Sequence, residues 1–297
     1  MAPSQVKVVV EGSKYIVEKG IPALLEGILQ KLEETQPADP ARGLLDAVVE
    51  ALAPTSSRVI CSGAEARARA KAAEAGTKPG DAIVPCVGDR QFPVARGDTA
   101  LVLIDMQTDF LSPEGRIGQH YKTSPVRNGI SACERLLASC RRAGLTIAHS
   151  RSHRYGATVR DDLVGTDDVG YELFPSLRAL PGEIVVDKWT FGAFASTPLE
   201  ERLRERGVER ILLCGVLTNV CVFATASQAV DRFFRVCLVE DACAAFQQEW
   251  HDKAVALISE PQTKRGHNAQ VGLYFGEVTE TKDVESALAS MGQPAKL

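Results

Sequence analysis

The sequence predicts an α/β fold, a parallel sheet covered by helices on both faces, preceded by a small helical module. Three observations predict it. From Thr99 onward, short uninterrupted apolar runs alternate with amphipathic segments, and strands apolar along their whole length belong to parallel sheets buried on both faces. Residues 15 to 53 instead carry two apolar stripes at helical spacing. Between these regions the composition shifts to alanine, spaced charge, proline and glycine, which reads as a connecting segment. The expected organisation is a helical module over 1–53, a linker over 54–97 and a larger α/β domain over 98–297.

Composition narrows the function. With 45% hydrophobic and 24% charged residues the chain has the profile of a globular protein with ample core. A net charge of −4 and the lack of a dense basic run argue against a nucleic-acid partner. No stretch reaches the roughly 18 apolar residues of a membrane span. The opening "MAPSQVKVVVEGSK" lacks a long apolar run with a cleavage site, so no secretory signal is expected. Eight cysteines are scattered through apolar runs, with no CxxC pair. That pattern fits free thiols in a reducing, cytoplasmic setting better than a disulfide framework.

In the first module, Ile21, Leu24, Leu25, Ile28 and Leu32 recur at helical spacing, with Pro22 in the first turn. "PADP" breaks the chain, Asp39 can cap a second helix with Pro40 at its first position, and Leu44, Leu45, Val48, Val49 and Leu52 form its stripe. Neither face can be buried by the pair alone, so a partner surface is implied. The spacing "Y-I-x-x-x-G-I-P-x-L-L" followed by "L-x-x-x-x-P-x-D-P" resembles the dimerisation–docking domain of RII-type regulatory subunits of protein kinase A. The resemblance implies a homodimer through these helices, with a groove for an amphipathic helix of an anchoring protein. By analogy with ciliary proteins that carry such modules, it extends the expected location to the axoneme. A plain helical hairpin packed on the second domain is the alternative. In the connecting segment, Arg67, Arg69 and Lys71 read as a solvated helix face, and "VPCVGDRQFPVARGDTA" is expected to wrap onto the second domain.

In that domain "ALVLID" (100–105), "LTIAHS" (145–150), "EIVVDK" (183–188), "ERILLCG" (209–215) and "FRVCLVED" (234–241) are the expected strands. Residues around 126–142, 197–207, 221–232 and 248–259 are the expected helices. Ligands of such sheets sit at the carboxyl ends of strands. Asp105 and Lys188 end two of these strands, and Cys221 lies just beyond a third. Each has an ordinary alternative: a turn residue, a snorkelling lysine, a small apolar filler. Their convergence on one sheet edge favours chemistry. A cysteine at a helix start beside a lysine is expected to gain thiolate character. An aspartate can then accept and return the proton. Of the five histidines, only His149 and His153 fall at such a strand end, and they are assigned structural or substrate-contact roles.

"LIDMQTDF", "DKWTFGAF" and "CGVLTNVCVFATASQAVDRFFRVCLVEDACAAF" resemble the isochorismatase-like cysteine hydrolases over residues 98 to 280, with Thr108 departing from the commoner asparagine. The resemblance implies the family's three-layer sandwich and an Asp105–Lys188–Cys221 triad that cleaves amide bonds through an acyl-enzyme. It also implies a cis peptide between Val216 and Leu217 and an oxyanion hole from the backbone N–H groups of Leu217 and Cys221. "HSRSHRY" lacks the Asp-x-His of the nicotinamidases, so neither a metal nor another cofactor is expected. "PGEIVVDK" and "EDACAAF" look most like the branch acting on biuret, ureidoacrylate and other carbamoyl or ureido compounds. Gln262 or Gln228 would then hold the substrate, and Phe110, Trp189 and Phe194 would wall the pocket. The expected function is hydrolysis of a small amide, carbamoyl or ureido compound. The alternative is a non-catalytic assembly protein whose hydrolase-like domain serves as scaffold. The loops 112–125 and 151–180 carry no motif that names a substrate.

Overall fold

The computed structural model describes residue 78 and residues 80–121, 125–153, 169–259 and 275–291. The helical module at 1–53, most of the segment read as linker, and Gln262 lie outside the described residues.

The stretch expected to wrap onto the second domain holds an antiparallel hairpin, β1 (Ala82–Cys86) and β2 (Arg90–Val94). Val84, Phe92 and Val94 are fully buried, so the hairpin belongs to the α/β body. The Arg210 guanidinium, itself buried, reaches back to Asp81 at 3.0 Å and Asp98 at 3.3 Å.

Six parallel strands follow: β3 (Thr99–Ile104), β4 (Thr146–Ser152), β5 (Ile184–Lys188), β6 (Arg210–Val216), β7 (Arg235–Ala244) and β8 (Glu277–Thr279). Their order is β5-β4-β3-β6-β7-β8. Every residue of β3 and β6 is buried. Successive side chains of a strand point to opposite faces, so both faces of the sheet centre are covered. Among the described residues the α-helices are α1 (Thr108–Leu111), α2 (Ile130–Ala143), α3 (Leu199–Arg204), α4 (Phe223–Val230), α5 (Gln248–Ser259) and α6 (Thr281–Ala289). Helix α2 buries Cys133, Leu136, Leu137 and Cys140 and ends where Gly144 turns left-handed (φ 74°), its N–H returning to Arg141 O and Cys140 O.

The five expected strands correspond to β3 through β7. Strand β8 and helix α6 were not among the expected elements. Three residues, Glu-Val-Thr, are too few to show an apolar run, and β8 exists because β7 offers it a ladder from Cys237 to Val239. It also receives the hairpin: Val87 N–H donates to Val278 O at 2.9 Å and the Thr279 hydroxyl donates to Pro85 O at 2.8 Å.

From β3 the chain adds β4 and β5 on one side, then crosses to place β6 on the other. That reversal between β3 and β6 is a topological switch point, where loops leave in opposite directions and open a crevice at the strands' carboxyl ends.

Candidate active site

Asp105 and Cys221 flank the switch point, one following β3 and the other following β6. Asp105 is fully buried and adopts a left-handed backbone (φ 52°), tolerated by aspartate better than by most side chains. This turn lets its amide donate to Ser150 O at 3.1 Å, while Gln107 N–H donates to Asp105 O at 2.7 Å. Gln107, also fully buried, fastens the neighbouring chain: its amide nitrogen donates to Ser152 O (3.0 Å) and Tyr171 O (2.9 Å), and its carbonyl accepts Ser152 N–H (2.7 Å).

Lys188 ends β5 with no solvent exposure, and its Nζ lies 2.7 Å from Asp105 Oδ2. It also donates to Thr190 O at 3.0 Å. The Asp105 carboxylate takes the Ser150 hydroxyl on Oδ1 at 2.8 Å, and no further hydrogen bond with good geometry falls on Oδ2, which the ion pair holds.

Cys221 lies in a π-turn, Thr218–Val222, that leads into α4. Gly215 makes that turn possible: its φ of 120° is open to glycine, and a Cβ there would fall 2.2 Å from Ile104 O. The Val216–Leu217 peptide is cis. Leu217 O then accepts both Val220 N–H (3.0 Å) and Val222 N–H (3.2 Å). Thr225 Oγ1 donates to Cys221 O at 2.7 Å and accepts Ala193 N–H at 3.1 Å, tying the turn to the loop after β5. Thr218 Oγ1 sits 2.9 Å from His251 Nδ1 on α5.

The three expected residues therefore meet: Cys221 is close enough to interact with both Asp105 and Lys188. The expected thiolate is corrected. Burial, and then the neighbouring Asp105 carboxylate, push the Cys221 thiol up to about 12 against the opposing pull of Lys188. Burial alone would lower the Lys188 pKa, but Asp105 and Cys221 together hold it above its ordinary value. The resting site is an ion pair beside a neutral thiol, because one buried cation cannot neutralise two anions.

Gln228 accepts Phe194 N–H on its carbonyl at 3.1 Å, and Gly192 is small because a Cβ would lie 2.3 Å from that amide. It supports the loop after β5. Phe194 is buried and stacks on Phe234 with centroids 5.6 Å apart. Phe110 is buried in α1. Trp189, 49% exposed, meets His153 edge-on at 5.6 Å. His149 is fully buried 3.1 Å from Glu183 and is structural. Sequence reasoning missed Ser150, which the β3–β4 register brings to Asp105, and Gln107 and Thr225, whose partners Ser152, Tyr171 and Ala193 come from distant segments. Among the described residues, no three His, Cys, Asp or Glu side chains cluster as a metal site.

Residues 99–282 match the family described as Isochorismatase domain. An uncharacterised isochorismatase family protein of Bacillus subtilis, YddQ, is 32% identical over 157 residues, 53% of this chain and 83% of that protein. The ureidoacrylate amidohydrolase RutB of Azorhizobium caulinodans is 26% identical over 224 residues, 67% of this chain and 93% of that protein. Among solved structures, a cysteine hydrolase from Pseudomonas syringae superposes with a TM-score of 0.58 at 24% identity, over 73% of this chain and all of that one. That likeness establishes the fold.

Proposed function

The chain belongs to the isochorismatase family, and from that premise we propose that it is a cysteine amidohydrolase acting on a small carbamoyl or ureido compound. The carrying observation is the solvent-free ion pair of Asp105 and Lys188 against the Cys221 thiol. A scaffold has no use for such a pair, since burying two charges costs several kcal/mol each before their attraction is counted. The similarity to RutB over nearly its whole length supports the ureido class.

In this mechanism Cys221 Sγ attacks the substrate carbonyl as its proton passes to Asp105 Oδ2. Proton transfer and attack occur together, so the high resting thiol pKa keeps the nucleophile neutral until an electrophile arrives. Loss of the negative charge on Asp105 is then matched by the oxyanion, which the Leu217 and Cys221 N–H groups would receive. Lys188 stays charged and close to both. Asp105 returns its proton to the departing nitrogen, releasing ammonia or an amine. It next takes a proton from the water that opens the thioester, freeing the acid and restoring the thiol.

Ammonia release measured against ureido, carbamoyl and simple amide compounds tests this reading. Turnover that falls by at least a thousandfold in Cys221→Ala is expected. Undiminished turnover in that variant, or none with any compound class, overturns it. For residues 1–53 the proposal is a dimerising and docking module, supported by the paired apolar stripes and the PxDP spacing. Sedimentation of the full chain and of a chain lacking residues 1–56 should show that the deletion lowers the oligomeric state without loss of hydrolysis. An unchanged state counts against the module.

A further inference from the structure

Ser150 lies on β4 in register with Ile104, the residue before Asp105. It is fully buried. The left-handed turn at Asp105 brings both ends of that residue onto the one hydroxyl: Asp105 N–H approaches Ser150 Oγ at 3.3 Å, and Oγ donates to Asp105 Oδ1 at 2.8 Å. A serine hydroxyl has one proton to give. Committing it to Oδ1 fixes the plane of the carboxylate and leaves Oδ2 as the oxygen turned to Lys188 at 2.7 Å.

We infer that Ser150 is a positioning residue that assigns the two carboxylate oxygens of Asp105 their roles, Oδ1 as anchor and Oδ2 as proton acceptor, and so sets the rate at which Cys221 reacts. The inference rests on the reading of Asp105 as the base. Without the hydroxyl the carboxylate is freer to rotate, because Lys188 alone restrains it, and Oδ2 is less often turned to the thiol.

Alkylation of Cys221 by iodoacetamide, followed by peptide mapping from pH 4 to 10, tests this without any substrate. In that reaction the Sγ–carbon bond forms, the carbon–iodine bond breaks with loss of iodide, and the thiol proton goes to Asp105. The intact protein should show a flat region near neutral pH, where Asp105 assists, and an alkaline rise as the thiol ionises by itself. Ser150→Val should lower the rate in the flat region about tenfold while leaving the alkaline rise in place. Ser150→Thr, of nearly the same volume as valine but with the hydroxyl kept, should retain the rate of the intact protein. Circular dichroism melts confirm that the Thr and Val forms are equally folded. If the Thr and Val variants share one rate in the flat region, Ser150 has no positioning role although Asp105 remains the base. If Asp105→Asn keeps the flat region of the intact protein, Asp105 is not the base, and both readings fall together. If neither Ser150 variant folds, the same profile is read on Ser150→Ala, with the outcome expected for Ser150→Val.

Discussion

Lys188 Nζ stands 2.7 Å from Asp105 Oδ2 with both side chains wholly removed from solvent. Two strands, β3 and β5, are separated by β4 in the sheet, so their ends are joined across it by this pair. The pair is held further by Ser150 on Asp105 and by Thr190 O on Lys188. It is an arrangement whose worth to folding and to chemistry can be separated.

Lys188→Met leaves a buried carboxylate without its cation and should cost about 3–5 kcal/mol in stability as well as activity. Adding Asp105→Asn removes the stranded charge. The double variant should regain most of the stability and none of the activity. Urea denaturation of the single and double forms checks this, and a double variant no more stable than the single one contradicts it.

The Cys221 thiol, pushed up to about 12 by burial and by Asp105, should carry no thiolate at neutral pH. Thiolate absorbance near 240 nm should be the same in the intact protein and in Cys221→Ala at pH 7 to 8. The sign for stability follows from the raised value. The folded chain holds this proton more tightly than the unfolded chain does, so the contribution is complete below the ordinary value of 9.0 and is lost as pH rises toward 12. The urea midpoint of the intact protein should therefore fall more steeply above pH 9 than that of Cys221→Ala.

Glu183 behaves in the opposite sense. Burial alone would raise its pKa, but Arg141 (2.7 Å and 2.8 Å), His149 and Leu180 N–H outweigh it and hold the carboxyl down to about 2. Its stabilisation is present above the ordinary value of 4.5 and is lost as pH falls toward 2. The stability gap between the intact protein and Glu183→Gln should thus narrow between pH 5 and pH 2. A gap independent of pH would show that the carboxylate's charge is not what the site uses.

Gly215→Ala should be among the most damaging small changes in the chain. The added Cβ would fall 2.2 Å from Ile104 O, on a backbone with φ 120° that alanine rarely adopts. The strand–turn junction carrying Cys221 has to shift. Loss of soluble protein, or a fall in Tm of more than 10 °C with loss of turnover, is expected. Unchanged melting would mean that β3 and β6 can separate cheaply here.

What the amino-acid order determined by itself was the parallel sheet and the meeting of Asp105, Lys188 and Cys221 at one edge. Both are consequences of local pattern. An uninterrupted run such as Thr99–Ile104 has to be buried on two faces, and a residue that ends such a run has to emerge at the crevice edge. The helical module at 1–53 is an expectation of the same local kind, outside the described residues.

Only the tertiary structure decided the state and surroundings of those groups. Ser150 meets Asp105 because β4 pairs with β3 in one register and not its neighbour. Gln228 was drawn to the loop at Phe194, and Phe194 to Phe234, although their places in the sequence pointed equally well to a pocket. Strand β8 acquired its strand character from the ladder β7 offers, and the hairpin from pairing β1 with β2 across a turn that donates to Val278 O. The protonation of Cys221 reversed the expectation drawn from its position before a helix. A nearby lysine and a helix start are visible in the sequence, whereas the desolvation of a thiol beside an already paired carboxylate is summed over every atom packed around it.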